Sequence, residues 1–299
     1  MKILCIGLAV YDISFPVTDF PKENSKNRVS DKIECGGGPA SNAAYLLAKW
    51  GLDVTFMGAV GNDTFGHKIK EEFDNVGVDT RYLEINDNYE TPISFIIPNV
   101  TNGSRTTMTY RNSSIHTKSV ELDFTPDVIF IDGQEYDLSV ELLKKYKNAI
   151  SIIDAGSVTK ERVELCKLVD YVVTSKNFAE DYSGIKIDYS DFSTIENLYS
   201  KLEDDFKTNI VVTLESKGAL YKDLDGLKIM PSIKVKPIDS TGAGDIFHGA
   251  FTYGIVKKMD MKKIIKFSNI AGALATTKIG GRNSIYELDY VLELYEKNK

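Results

Sequence analysis

Short apolar runs of strand length alternate with longer stretches of helical periodicity along most of this chain. Several of the short runs are almost continuous in Val and Ile, which is typical of strands that are covered on both faces. Alternation of such strands with helices predicts an α/β fold with a doubly wound, mainly parallel sheet flanked by helices. Because a sheet of this kind binds its ligands at the carboxyl ends of its strands, the pattern also predicts where a site should lie.

The predicted elements are spread over the whole chain. The strands are expected at Ile3–Val10, Val54–Val60, Val128–Ile131, Ile150–Asp154, Tyr171–Thr174 and Ile210–Leu214. The helices are expected at Ala40–Trp50, Phe65–Val76, Leu138–Tyr146, Ser193–Phe206, Ala243–Lys257 and Met261–Thr276. No internal repeat or low-complexity linker interrupts them, so residues 1–299 are interpreted as a single domain.

Two segments depart from this alternation. Residues 11–35 are polar with few helical features, and residues 91–111 hold two short β-like runs around an Asn-rich turn. Both are interpreted as insertions that build a small β-sheet lid beside the main sheet. A lid over a cleft, a dimer interface and an ordinary surface hairpin all fit this pattern.

Composition excludes several classes of function. The chain has 36 basic and 43 acidic residues, a net charge of −7, which argues against nucleic-acid binding. No window of about 18 apolar residues predicts a membrane span, and the apolar N-terminus is too short for a secretion signal. Three separated cysteines and three scattered histidines indicate neither a disulfide scaffold nor a zinc site. These features predict a cytoplasmic protein without a nucleic-acid or membrane partner.

The stretch from Asp239 to Asp245 carries the strongest functional signal, because small residues lead directly into an apolar helical pattern. The first N–H groups of a helix lack partners within it, and the helix dipole places partial positive charge there. Gly242, Ala243 and Gly244 leave these groups open to an anion such as a phosphate. Asp245 follows them, so an anion cradle lies beside a possible base, as transfer of a phosphoryl group to a hydroxyl requires. Ordinary helix capping is the alternative.

A second glycine-rich helix entrance runs from Gly36 through Gly38 to Asn42. Glycines allow close approach of the backbone, and the Asn42 side chain falls in the first helical turn. Asp12 follows the first predicted strand and is expected at its carboxyl end. A carboxylate there can accept two hydrogen bonds from adjacent hydroxyls. Together these residues predict a site for a polyhydroxylated ligand, and tight turns with solvated side chains are the alternative.

These pieces, in this order, resemble the ribokinase-like (PfkB) carbohydrate kinase family over nearly the whole chain. The matching segments are Asp12, Gly36–Asn42, Val60–Asp63 with Gly66, the NxxE motif Asn177–Glu180, and Asp239–Asp245. The resemblance implies a ribokinase-like fold and an ATP-dependent phosphotransferase that acts on a sugar alcohol group. It also implies ATP and Mg²⁺ as the cosubstrate and its metal, with K⁺ as a further candidate ion.

The same resemblance assigns roles to individual residues. At the reacting centre it implies Asp245 as the base and the amides of Gly242, Ala243 and Gly244 as the anion hole. For the sugar it implies Asp12, Gly37, Gly38 and Asn42, with Arg105 as a lid residue that reaches substrate or phosphate. For the nucleotide it implies Asn177, Thr213, Gly218 and Asn269. For metals it implies Glu180 near Mg²⁺ through water, and Asp239 near a monovalent cation.

The implied reaction is transfer of the γ-phosphate of ATP to a ketose such as fructose or a related furanose. A helix N-terminus stabilises an ionised carboxylate, so a low pKa is expected for Asp245. A nucleoside kinase and a non-catalytic sugar- or nucleotide-binding regulator of the same fold are the alternatives. A nicotinamide-dependent oxidoreductase is disfavoured because the first strand is not followed by a GxGxxG motif. A homodimer formed through the lid sheet is also expected.

Overall fold

The computed structural model describes residues 1–112 and 116–298, which form two separate sheets and nine helices within these ranges. In chain order the strands are β1 (Lys2–Ile6), β2 (Val10–Ser14), β3 (Ile33–Gly37), β4 (Asp53–Gly61), β5 (Asp79–Asn86), β6 (Ile93–Pro98), β7 (Arg105–Tyr110), β8 (Val128–Ile131), β9 (Ile150–Ala155), β10 (Tyr171–Ser175), β11 (Asn209–Thr213), β12 (Ala219–Asp223) and β13 (Gly226–Met230). The helices are α1 (Pro39–Lys49), α2 (Thr64–Val76), α3 (Tyr136–Lys145), α4 (Lys160–Cys166), α5 (Lys176–Ser183), α6 (Phe192–Phe206), α7 (Ala243–Val256), α8 (Met261–Ala275) and α9 (Leu288–Lys297).

The larger sheet has nine strands in the order β13-β12-β11-β10-β9-β8-β1-β4-β5. The strands from β5 to β11 pair in parallel, and only β12 and β13 join as an antiparallel extension at one edge. Reversal of the strand order on either side of β1 makes the sheet doubly wound. The predicted α/β architecture is therefore confirmed.

Alternating side chains of the central strands pack into two hydrophobic cores, one on each face of the sheet. In β1, Ile3 and Cys5 belong to a core with the apolar faces of α1, α7 and α8. Leu4 and Ile6 belong to the opposite core with α3, α4, α5 and α6. Burial on both faces explains why these strands read as continuous apolar runs. Within the described part of the chain, no helix is long and apolar enough to cross a membrane.

The smaller sheet has four strands in the order β3-β2-β6-β7. Its strands lie in the two segments that depart from the alternating pattern, and we refer to this sheet as the lid sheet. All six residues of the edge strand β7 are exposed, so both faces of the lid sheet are open to solvent at this edge.

All six predicted helices match observed ones to within two residues at each end. The predicted strand Ile3–Val10 is wrong in its extent, because β1 ends at Ile6 and Val10 already belongs to β2 in the lid sheet. Beyond β1 the Leu8 N–H donates to the Asp132 carboxylate (2.9 Å) instead of to a neighbouring strand. Five strands (β2, β3, β5, β12, β13) and three helices (α4, α5, α9) were not individually predicted, because they lie at sheet edges or in the lid sheet, or are short and only partly apolar.

Candidate active site

The loop before α7 is folded by the buried carboxylate of Asp239. Its oxygens accept hydrogen bonds from the N–H (2.8 Å) and the hydroxyl (2.6 Å) of Thr241 and from the Gly280 N–H (2.8 Å). The chain then turns through Gly242 in the left-handed region, at φ 72°. A Cβ at Gly242 would lie only 2.9 Å from the Cα of Gly281, so this turn requires glycine.

The amides at the start of α7 form a small donor cluster. The Ala243 N–H makes a long hydrogen bond (3.3 Å) to the Ser240 carbonyl. Among the described residues, the N–H groups of Gly242 and Gly244 have no hydrogen-bond partner. Gly244 is exposed with open space around it, so the cluster can be reached from solvent. Such a cluster can accept an anionic oxygen.

Asp245 links this loop to the second glycine-rich motif. Its Oδ2 accepts a hydrogen bond of 2.7 Å from Nδ2 of Asn42, in the first turn of α1. The other side-chain atom of Asn42, Oδ1, is buried and has no partner among the described residues. The structure therefore brings together two motifs separated by 203 positions and leaves an unused acceptor beside the carboxylate.

The expected low pKa of Asp245 is wrong. Burial and the negative charge of Asp154 raise the pKa of Asp245 to about 6, against the hydrogen bond from Asn42 and the charges of His248 and Arg105. The helix dipole therefore matters less here than desolvation and a like charge. At neutral pH the carboxylate is ionised and is a stronger base than an ordinary aspartate.

Asp12 lies on β2 of the lid sheet, so its predicted position at the end of the first strand is wrong. It is 6% exposed, and a Cβ at Gly37 would lie 2.1 Å from its Oδ2. Burial, with a contribution from the charge of Asp245, raises the pKa of Asp12 to about 7, although Ser94, Arg282 and Arg105 lower it. The two carboxylates therefore share one electrostatic environment.

The lid sheet also contacts the anion loop. Nη1 of Arg105, at the start of β7, donates to the carbonyl (2.6 Å) and the hydroxyl (2.7 Å) of Ser240. The Ser240 N–H in turn donates to the Gly103 carbonyl at 3.1 Å. Gly38 lies at φ 100°, and a Cβ there would meet the Leu8 carbonyl oxygen at 2.2 Å. The predicted sugar-binding and anion-binding residues are thus brought together by the contacts of Asn42 with Asp245 and of Arg105 with Ser240.

The predicted nucleotide residues lie near the carboxyl ends of β10 and β11. Asn177 is exposed in the first turn of α5, and the Thr213 hydroxyl at the end of β11 donates to the Thr174 carbonyl (3.2 Å). Asn269 on α8 donates from Nδ2 to the Met230 carbonyl (2.9 Å), the atom that a Cβ at Gly218 would meet at 1.9 Å. Asn269 and Gly218 therefore both contact the chain at Met230.

Glu180 is buried and already well paired. It accepts from the Ile187 N–H (2.9 Å) and forms ion pairs with Lys186 (3.1 Å) and Lys176 (3.7 Å). These contacts keep the pKa of Glu180 low in spite of its burial. In residues 1–112 and 116–298 no cluster of three or more His, Cys, Asp or Glu side chains could hold a metal ion by itself.

Arg282 holds the triple-glycine turn, whereas the resemblance placed it only within a loop, residues 278–283, near a monovalent cation. Its guanidinium is 3% exposed, pairs with Glu72 (Nη1–Oε2 2.7 Å) and packs over the Phe73 ring at 4.4 Å. The Glu72 carboxylate also accepts from the Gly36 N–H at 2.9 and 3.0 Å. A Cβ at Gly36 would lie 2.3 Å from Arg282 Nη1, so glycine is required there to admit the guanidinium.

Replacement of Arg282 by Met is expected to lower the free energy of unfolding by about 2–3 kcal/mol, because Glu72 would keep a partly buried charge without its partner. Urea denaturation measures this loss. Lys222→Met, which breaks the exposed pair with Glu203, is the matched control and should cost under about 1 kcal/mol. The double variant Arg282→Met/Glu72→Gln should recover part of the loss. Equal losses for Arg282→Met and Lys222→Met would contradict this account.

Sequence analysis also considered His248 only as a metal ligand and gave no role to Asp154. In the structure these two buried side chains form a close pair, with 2.6 Å between His248 Nδ1 and Asp154 Oδ2. No local pattern indicates a contact across 94 positions.

The fold is shared with known carbohydrate kinases. The family model for pfkB carbohydrate kinases matches residues 1–288, and the chain belongs to this family. It is therefore a phosphotransferase of the sugar and nucleoside kinase class, which confirms the predicted family, fold and enzyme class.

Relatives of several specificities match the chain over most of its length. It is 26% identical to the ribokinase of Haemophilus influenzae over 87% of each chain, and 27% identical to the mouse ketohexokinase over 91% of this chain and 95% of that protein. Among solved structures, a candidate ribokinase from Agrobacterium tumefaciens is 25% identical and superposes with a TM-score of 0.89, covering 99% of this chain and 97% of that one. Identities of this size leave the acceptor open.

Proposed function

We propose that this protein transfers the γ-phosphate of ATP to a hydroxyl group of a sugar, a ketose or a related furanose, with Asp245 as the base. The observation that carries the proposal is the hydrogen bond between Asn42 and Asp245. This bond joins the first turns of α1 and α7, beside amides that can be reached from solvent. A hydroxyl held by the first helix would lie next to a base and an anion cradle.

The proposed chemistry follows from the groups at this point. Asp245 takes the proton from a primary hydroxyl as that oxygen attacks the γ-phosphorus, and ADP leaves with the electron pair of the broken P–O bond. The amides of Gly242, Ala243 and Gly244 would stabilise the charge on the transferring group. A pKa of about 6 keeps Asp245 ionised at neutral pH while leaving it basic enough to accept the proton.

For the acceptor, Asp12 is proposed to receive hydrogen bonds from two adjacent hydroxyls. The backbone at Gly37 and Gly38 allows the ligand to approach closely, and the unpartnered Oδ1 of Asn42 can accept a further hydroxyl. Arg105 would contact substrate or phosphate from the lid sheet. We interpret residues 1–299 as one domain. In it, the insertions at 11–35 and 91–111 form a lid over the proposed acceptor site.

For the nucleotide, Asn177, Thr213, Gly218 and Asn269 are proposed to line the site. The structure of Arabidopsis thaliana ribokinase complexed with ribose and ATP has the same fold (TM-score 0.80, 20% identity), which supports ATP as the donor. Because Glu180 is already paired with two lysines, it would reach Mg²⁺ only through water. The metal would supply positive charge to the phosphates.

Asp239 is proposed to lie near a monovalent cation, with K⁺ as the candidate. Its carboxylate is fully buried and has no cationic side chain within ion-pair distance in the described ranges. A cation close to this loop would offset the buried charge. We also place the protein in the cytoplasm, where ATP is available and the three free cysteines would stay reduced.

The test is a screen of ketoses, pentoses, sugar acids, phosphorylated sugars and nucleosides for ADP release, with and without Mg²⁺ and K⁺. Release of ADP that depends on a ketose or furanose would support the proposal. Activity with nucleosides alone would favour the alternative suggested by the nucleoside kinase of Methanocaldococcus jannaschii, which is 23% identical over 100% of this chain and 98% of that protein. Binding of sugar and ATP without turnover would favour a non-catalytic regulator.

We further propose a homodimer formed through the lid sheet. The β6–β7 hairpin of this sheet carries Phe95, Met108 and Tyr110 on one face, and the last two are 58% and 59% exposed. Phe95 and Met108 are paired across β6 and β7, so the apolar side chains form a continuous patch. Exposed apolar patches of this kind commonly mark protein interfaces.

The variant Met108→Lys is expected to shift the protein from dimer to monomer, because a charge would have to be buried at the interface. Analytical ultracentrifugation at micromolar concentration measures this shift. Thr107→Lys, at the next residue of β7, points to the opposite side of the strand and is the matched control, which should remain dimeric. A monomeric wild-type protein, or a dimer unaffected by Met108→Lys, would contradict the interface.

A further inference from the structure

A buried carboxylate–imidazole pair lies beneath the candidate active site. Asp154 is the penultimate residue of β9, and His248 lies on α7. Both side chains are almost completely buried, and His248 Nδ1 lies 2.6 Å from Asp154 Oδ2. The second ring nitrogen of His248, Nε2, is also buried and has no hydrogen-bond partner among the described residues.

The pair lies directly behind Asp245. His248 follows Asp245 by three positions on α7, so the two side chains lie on the same side of the helix. Asp154 is at the carboxyl end of a central strand, the edge at which a doubly wound sheet binds ligands. Its charge raises the pKa of Asp245, and the charge of His248 lowers it.

The charged groups that act on this pair come from a few elements. Burial lowers the pKa of His248, but the charge and hydrogen bond of Asp154 and the charge of Asp245 together raise it. From the lid sheet, Arg105 acts on Asp245, and Asp12 is linked electrostatically to Asp245. The charges of both carboxylates therefore stabilise a proton on the imidazole.

We propose that Asp154 and His248 act as a pair of positioning residues that determine the pH at which Asp245 becomes an ionised base. This inference rests on the proposed function of Asp245. A carboxylate alone behind Asp245 would keep it protonated to a higher pH, and the imidazolium offsets that charge. Neither residue touches the substrate. Their effect passes through Asp245, whose geometry is held separately by Asn42.

The test compares His248→Gln with Asp154→Asn. His248→Gln removes a positive charge near Asp245, so it should shift the acid limb of the kcat/KM profile to higher pH by about one unit. Asp154→Asn removes a negative charge, so it should shift the acid limb to lower pH. Asp154 affects the pKa of Asp245 more strongly than His248 does. A defect of packing alone would lower activity without moving the two profiles in opposite directions.

A second readout does not depend on catalysis. Titration of the Asp245 side-chain carboxyl carbon by ¹³C NMR should show the same two opposite shifts of its midpoint in the full-length variants. Ser151→Ala is the matched control, because Ser151 lies on the same strand β9 and bonds Asp170 at the opposite end. This control should leave both the profile and the titration unchanged.

The possible outcomes separate this inference from the proposed function. Unchanged Asp245 titration in both variants, or shifts in the same direction, would overturn the role of the pair. If the wild-type protein phosphorylates no acceptor but the two titrations move apart, the proposed function fails while the electrostatic coupling stands. Opposite shifts in both readouts would support the pair as the control of the base.

Discussion

Replacement of Asp245 by Asn is expected to lower kcat at least about 100-fold while leaving the Kd for ATP nearly unchanged. The amide keeps the shape of the side chain, and its oxygen can still accept the hydrogen bond from Asn42. It cannot accept a proton, so only the chemical step should be affected. Steady-state kinetics and calorimetric titration with ATP measure the two quantities. Turnover close to that of the wild-type protein would remove Asp245 from the role of base.

The same variant is expected to be more stable than the wild-type protein at pH 8. The folded-state pKa of Asp245 is about 6, above the ordinary 3.8, so the fold disfavours the ionised carboxylate. This cost is fully present above about pH 6 and disappears as the pH falls below about 4. The gain in unfolding free energy should be on the order of 1 kcal/mol at pH 8 and should shrink on acidification.

Urea denaturation at several pH values measures this gain. Asp289→Asn is the matched control, because Asp289 is an exposed acidic residue in the first turn of α9. There the helix dipole stabilises the charge, so the substitution should destabilise slightly. A gain for Asp245→Asn that did not depend on pH would contradict the assigned cause.

Replacement of Asp12 by Ala is expected to raise the KM for the acceptor at least about 100-fold, with little change in the KM for ATP. Two hydrogen bonds from hydroxyls to a buried carboxylate would be lost, each worth about 1.5–3 kcal/mol. Because the pKa of Asp12 is raised to about 7, its ionised fraction grows as the pH rises through 7. The acceptor KM of the wild-type protein should therefore fall over that range, once the titration of Asp245 is allowed for.

Initial rates with each substrate varied in turn separate the two Michaelis constants. Asp12→Asn should lose the pH dependence of the acceptor KM and show an intermediate KM. Glu34→Gln changes another carboxylate of the lid sheet, on β3, and should leave both constants unchanged. Equal increases in both KM values for Asp12→Ala would move Asp12 out of the acceptor site.

Local sequence patterns were sufficient for much of the architecture. The strands Val128–Ile131 and Ile210–Leu214 could be predicted from the sequence because both of their faces are buried. Burial on both faces produces uninterrupted apolar runs. The start of α7 could be predicted because Gly242 must adopt a positive φ and Asp245 follows within one turn. The antiparallel hairpin β12–β13, which ends the larger sheet, could not be predicted because a half-covered hairpin contains too many polar residues.

The amino-acid sequence by itself determined the alternation of elements, the two glycine-rich helix entrances and the family, because these depend on neighbours a few positions apart. Only the tertiary structure decided that Asp12 lies on a lid strand, that Arg282 supports the triple-glycine turn, and that Asp154 raises the pKa of Asp245. Each of these depends on burial and on charges brought together from distant positions. Solvation and Coulomb energies depend on the distances between groups in three dimensions. A local sequence pattern does not contain these distances.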